Sequence, residues 1–213
     1  MQSANTKECA ELLIFIACVI KEKKDYLTEL DSAIGDGDLG VSMTLGFNAV
    51  IEALREPCDT YGELLQKCGL AFSNYAPSTI GALFATGFLR ASSAVQGKTE
   101  VRNSDIVHMM EAATQGIRER GKAVLGDKTV LDALVPAVES AQNQADQSND
   151  ICKLMKKAAK AAELGAESTR ELKAVQGRSR WLQARSIGHL DPGAIAVAMV
   201  LRASSDWFDY VPK

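Results

Sequence analysis

The sequence predicts an all-α fold, an up-and-down barrel of about eight antiparallel helices. Three observations support this: apolar residues recur at helical spacing almost throughout, no convincing run of alternating strand residues appears, and glycine- and charge-rich segments fall at every second interruption. Leu131, Leu134, Val135 and Val138 show the periodicity, as do Ile106, Met110, Ala113 and Ile117. No Pro/Gly/Ser-rich linker divides the 213 residues, so 1–213 reads as a single domain with one core.

Boundary signals place helices near 5–30, 42–56, 60–75, 80–96, 104–121, 128–143, 149–176 and 191–208. The run from Leu12 to Ile20 reads as a buried first helix: Glu8 and Glu11 precede it, no small-residue cleavage pattern follows, and it is too short to span a bilayer. Asn103, Ser104 and Ser148 are candidate N-caps, and Asp191-Pro192 reads as an N-cap followed by proline at the first helical position.

Consecutive short connections of such a barrel alternate between its two ends. Connections 31–41, 75–81, 121–129 and 177–191 therefore share an end, and they hold the unusual chemistry. The other three, 56–60, 96–102 and 143–150, hold nothing comparable. This segregation points to one composite site.

The first of these connections, Asp31-Ser-Ala-Ile-Gly35-Asp36-Gly37-Asp38-Leu39-Gly40, places three carboxylates and three glycines in ten residues. Carboxylates held that close repel one another unless a cation lies between them, and hard oxygen ligands suit Mg²⁺. Asp31, Asp36 and Asp38 are the candidate metal ligands. The glycines leave room for a polyphosphate, and the amides opening the next helix near Gly40–Ser42 can bind it. The bland alternative is a solvated acidic turn capping the second helix.

Three formal motif matches fail on context. Gly35 to Gly40 satisfies GxGxxG, but a helix precedes it and two Asp would repel bare phosphate. As an EF-hand loop begun at Asp36 it would place Phe47 where a bidentate Glu belongs. Gly116 to Ala123 resembles a Walker A loop without the metal-ligating hydroxyl or a preceding strand. Gly126-Asp127-Lys128-Thr129 reads as a tight turn at a helix start, with Asp127 or Thr129 as cap or ligand contact. Arg178, Arg180 and Arg185 direct guanidinium groups to the same end, where bidentate geometry suits phosphate. His189 is a candidate base or a hydrogen-bonded structural residue, and His108 lies on an amphipathic helix.

With 24 Lys and Arg against 27 Asp and Glu, no sequence-wide basic surface exists to attract a nucleic-acid backbone. The five cysteines show no CxxC spacing, which argues for reduced, buried thiols in a cytoplasmic protein.

Three segments now form a set: Tyr26 through Asp38; Gly121-Lys122 with Gly126 through Pro136; and Gly177-Arg178 with Arg185 through Gly193. Together, and in order, they resemble the nucleotide-binding L-subunit (DhaL-like) family of dihydroxyacetone kinases. The resemblance implies a closed barrel of eight antiparallel helices, with ADP or ATP at one end and its phosphates held through two Mg²⁺ ions on Asp31, Asp36 and Asp38. It implies nucleotide contacts at Leu39, Gly40, Val41, Ser42, Thr79, Ile80, Gly121, Val130, Arg178, Asp191, Pro192 and Gly193. The implied chemistry passes phosphate to a short hydroxyketone held by a separate K-type subunit, with Arg178 and the three Asp as the reacting-centre residues. The phosphate source is either exchangeable ATP or a tightly held ADP recharged by a phosphotransferase-system phosphocarrier protein. This chain departs from the family pattern at Leu39, where His or Thr is usual, and at Pro77 to Gly81, where a Gly-rich loop is usual. Those departures keep two alternatives in view: a catalytically silent nucleotide-binding regulator, or a kinase subunit for another keto-sugar.

Overall fold

The computed structural model describes residues 1–210. Among them are nine α-helices: α1 (Thr6–Glu22), α2 (Lys24–Ile34), α3 (Leu39–Ala53), α4 (Tyr61–Tyr75), α5 (Thr79–Ala94), α6 (Asn103–Gly121), α7 (Leu131–Ala145), α8 (Ile151–Ser168) and α9 (Pro192–Tyr210). Each helix from α3 onward packs on its successor, α9 packs back on α1, and both α1 and α2 pack on α3 and α9. The ring is therefore closed, with α1 and α2 together forming the first of eight staves.

That first stave differs from the unbroken helix predicted over 5–30. Lys23 leaves helical geometry (φ −96°, ψ 8°), while its amide still bonds Val19 O at 3.1 Å and its carbonyl still accepts from Leu27 at 3.0 Å. The chain bends there without losing its hydrogen-bond ladder. The continuation to Ile34 places Asp31 on a helix, and the connection shrinks to residues 35–38.

The 149–176 helix is likewise corrected. Here α8 stops at Ser168, a 3-10 turn covers Thr169–Glu171, and the chain turns extended at Leu172. The cause is tertiary: Thr169 gives its carbonyl to a lysine side chain and its hydroxyl to the Asp191 amide, so the helix ends in a cross-connection. The helix predicted from 128 begins instead at Leu131, because Lys128 adopts a left-handed conformation (φ 62°).

Strand pairing, absent from the expectation, exists as one two-residue antiparallel pair. It joins β1 (Ala4–Asn5) to β2 (Glu100–Val101) at the end remote from the site. Asn5 also caps α1 through a reciprocal box with Glu8, whereas the predicted caps Asn103 and Ser148 lie just inside α6 and just before the actual cap Asp150.

Inside the ring, Phe47, Phe72, Phe84 and Phe88 pack together between α3, α4 and α5, with Phe47 edge-on to Phe72 and Phe84 stacked on Phe72. Staves α7 to α9 close instead through buried alanines such as Ala133, Ala137, Ala158, Ala162 and Ala198, which let backbones approach. The first helix is less buried than expected, with Ile14 and Cys18 facing outward, so Cys18 is not a core thiol. No helix among the described residues is long and apolar enough to cross a membrane.

Pro136 in α7 has no N–H for the Asp132 carbonyl, and α8 brings Gly165 against that carbonyl. A Cβ on Gly165 would sit 2.0 Å from Asp132 O and 2.8 Å from Pro136 Cγ. At Gly87 in α5 the nearest atom would lie at 3.4 Å. Gly165→Ala should therefore lose about 1–3 kcal/mol to overpacking, against a helix-propensity gain of about 1 kcal/mol. Gly87→Ala should keep most of that gain. Urea unfolding midpoints of the two variants check the contrast.

Candidate functional site

Up-and-down winding starts every second helix at the same end. The N-termini of α3, α5, α7 and α9 therefore converge on a cleft of about 410 Å³ formed by connections 35–38, 122–130 and 169–191 and by the first turn of α5. Helix N-termini carry partial positive charge and unpaired amides, which favour anions. Apolar walls come from Leu39, Ile80, Leu83, Val130 and Leu131.

At the mouth, Asp31, Asp36 and Asp38 each offer a carboxylate oxygen within 4.8 Å of the other two. The Leu39 amide donates to Asp31 Oδ2 at 3.1 Å, which ties α2 to the start of α3. Gly35 allows the turn: a Cβ there would meet Asp31 Oδ1 at 2.2 Å, and Gly37 adopts φ 75°. Burial, and then the charges of Asp36 and Asp31, push the Asp38 carboxyl up from its ordinary value. Arg178, from the connection facing this cluster, forms an ion pair with Asp36. This set of oxygen donors fits a hard divalent cation, which would take over the charge compensation that Arg178 supplies to one carboxylate.

The remaining sequence-derived candidates divide by position. Leu39, Thr79, Ile80, Gly121, Val130, Asp191, Pro192 and Gly193 line the cleft with the three aspartates and Arg178. Gly40, Val41 and Ser42 do not. Gly40 packs its missing side chain against Lys24 O and Thr28, Val41 is exposed, and Ser42 is buried with its amide on Asp38 O. Gly193 brings α9 close, since a Cβ there would lie 2.9 Å from Val130 Cγ1. The Asp191 cap is present: Ala194 donates to Asp191 Oδ2 at 2.7 Å. His189 is exposed and contributes its main chain, and the unusual loop residue Ser78 caps α5 by accepting from Gly81.

Sequence reasoning missed two residues: Lys128, which lines the cleft, and Asp132 behind it. Asp132 accepts from Gly126 at 2.6 Å and Thr129 at 2.7 Å, reinforcing the turn in which Asp127, one of the expected caps, accepts from Val124 and Thr129, the other, from Leu131. Lys128 is 1% exposed and donates to Thr169 O and His189 O, each at 2.5 Å. Burial lowers its pKa, with Asp191 opposing.

The comparisons bear on the family and the fold. The DAK2 domain matches residues 33–206. The chain is 36% identical over 185 residues to the ADP-binding subunit DhaL of a PEP-dependent dihydroxyacetone kinase of Escherichia coli (strain K12), covering 86% of this chain and 88% of that one. It is 30% identical over 200 residues to human triokinase/FMN cyclase, covering 93% of this chain but 34% of that one. Among solved structures, the dihydroxyacetone kinase of C. freundii in complex with AMP-PNP and Mg²⁺ superposes with a TM-score of 0.73 at 24% identity, over 97% of this chain and 35% of the kinase. The chain thus spans about a third of that kinase.

Burial raises the Asp191 carboxyl to about 7, where an ordinary Asp titrates near ~3.9. The folded state then holds a proton the unfolded state has released, so this group's stability contribution is present at low pH and lost as pH rises from about 4 through about 7. Asp191→Asn keeps an acceptor for the Ala194 amide without the charge. The variant should show a shallower fall in unfolding free energy between pH 5 and pH 8, by on the order of 2–3 kcal/mol. Urea titrations at the two pH values measure it.

Proposed function

This chain belongs to the DAK2-domain family, and on that premise we propose that it is the nucleotide-binding, phosphoryl-transferring subunit of a dihydroxyacetone kinase-type complex. The observation that carries the reading is the Asp31, Asp36 and Asp38 cluster, set at the mouth of a cleft ringed by four helix N-termini and faced by Arg178. Asp31, Asp36 and Asp38 would hold two Mg²⁺ ions, whose chemistry is to neutralise nucleotide phosphate charge. Ile80, Val130 and Leu83 exclude water and offer apolar surface to a base and ribose. Arg178 brings a guanidinium to the phosphate end, where positioning and charge compensation dominate phosphoryl transfer.

ADP is the preferred nucleotide. Identity reaches 36–37% with relatives named ADP-binding subunits and 30% with human triokinase/FMN cyclase. The phosphate would then come from a phosphocarrier protein and pass to a hydroxyketone on a separate K-type subunit. A protein partner suits the rim: Val124, Leu125 and Trp181 stand 58%, 56% and 74% exposed on the same end as the cleft. We place the reaction in the cytoplasm, in keeping with five unpaired cysteines, and assign it to one domain over residues 1–213.

Asp36→Asn should weaken Mg²⁺-dependent ADP binding at least tenfold and leave the far-ultraviolet circular dichroism unchanged. Unchanged affinity at saturating Mg²⁺, read by calorimetry, would remove the metal assignment. In a reconstituted transfer assay, Arg178→Ala should lose on the order of 2–4 kcal/mol of transition-state stabilisation. Nucleotide binding without any transfer by the wild-type complex would favour a silent regulator instead.

A further inference from the structure

The connection that carries Arg178 is built as a strap with cross-rungs, and its base is closed by a residue outside it. Its two limbs meet at successive levels. The Asp191 amide donates to the Thr169 hydroxyl at 2.8 Å, Gly188 donates to Arg170 O at 2.8 Å, the Arg170 guanidinium returns to Gly188 O at 3.1 Å, and Ala174 donates to the Ser186 hydroxyl at 2.9 Å. Beyond Ala174 and Ser186 the limbs share no further rung among the described residues. The tip touches the rest of the fold through Val175 on Asp127 O, Gln176 on Lys122 O and the ion pair of Arg178 with Asp36.

Lys128 joins the two limbs at the root, with one bond to Thr169 O on the outgoing limb and one to His189 O on the returning limb. Two features of Lys128 are unfavourable taken alone. A non-glycine residue at φ 62° is strained, and an ammonium 1% exposed has lost its water. Both are retained where they deliver the ammonium inward to two carbonyls that would otherwise repel across the strap. Asp132 fixes the turn from which Lys128 starts, through its bonds from Gly126 and Thr129.

We propose that Lys128 is a positioning residue: by clamping Thr169 O and His189 O together it sets the strap that holds Arg178 at the acidic mouth of the cleft. Its effect on turnover rests on the transfer reaction proposed above; the clamp itself does not. Lys128 lines the cleft, so direct contact with a bound anion is the competing role. The two roles differ in coupling, since a residue acting through Arg178 has nothing left to do once Arg178 is gone.

The test uses the full chain carrying Lys128→Met, with Lys128→Gln as a second variant if the first fails to fold. Limited trypsin digestion without nucleotide should cut after Arg178, Arg180 and Arg185 at least tenfold faster than in the wild type, while cleavage after Lys98 and Arg102 at the opposite end stays unchanged. Equal cleavage of the strap, or uniform acceleration at all sites, overturns the clamp. In the reconstituted transfer assay, Lys128→Met should lower kcat at least tenfold, and the Lys128→Met, Arg178→Ala double variant should fall no further than Arg178→Ala alone. Multiplicative losses overturn positioning in favour of direct contact. If the wild type itself transfers nothing, the functional reading fails and the cleavage pattern still decides the clamp.

Discussion

Like-charge repulsion at one end of the barrel is the constraint around which the rest is arranged. Two ionised carboxylates with oxygens within 4.8 Å of each other repel by on the order of 3 kcal/mol or more at an effective dielectric of 20. A single capping bond, such as that from Leu39 to Asp31, offsets about 1 kcal/mol. Local hydrogen bonding therefore cannot balance three such groups. The compensation is drawn from elsewhere: Arg178 pairs with Asp36, the N-termini of four alternate helices point at the cleft, and the Asp38 carboxyl is pushed toward its neutral form. A hard divalent cation with phosphate would complete the balance.

That requirement explains why the site is assembled from separated connections. A closed ring of antiparallel staves brings α3, α5, α7 and α9 to one end as a consequence of winding, so residues 31, 79, 130 and 193 meet although they are distant in sequence. The opposite end does other work. Tyr61 donates its hydroxyl to Ala4 O and Asn5 O, the strand pair joins residues 4–5 to 100–101, and the terminal ammonium pairs with Asp150. Closure is secured at one end, leaving the other free to carry charge.

Much of this was legible because it depends on local density. Three aspartates and three glycines in ten residues declare themselves, and Asp191-Pro192 marks a helix start that the structure places there. What was illegible depends on distant partners. The segment following Ser168, with Glu, Leu, Lys and Ala in favourable spacing, reads as continued helix, and only the Lys128 ammonium and the Asp191 amide taking Thr169 reveal the strap. Lys128 reads only as part of a tight turn because burial cannot be seen in a Gly-Asp-Lys-Thr string. The bend at Lys23 carries neither glycine nor proline. Its outcome matters, since it carries α2 on to Ile34 and places Asp31 on a rigid helix.

Cation and nucleotide would form one ligand for this end of the barrel. Native mass spectrometry of the purified chain with ADP, in the presence of Mg²⁺ and then of a chelator, reads that dependence as a stoichiometry. One ADP should be retained together with two Mg²⁺ ions, and the nucleotide should be lost when the metal is removed. Stoichiometric ADP on the chelated protein would contradict it.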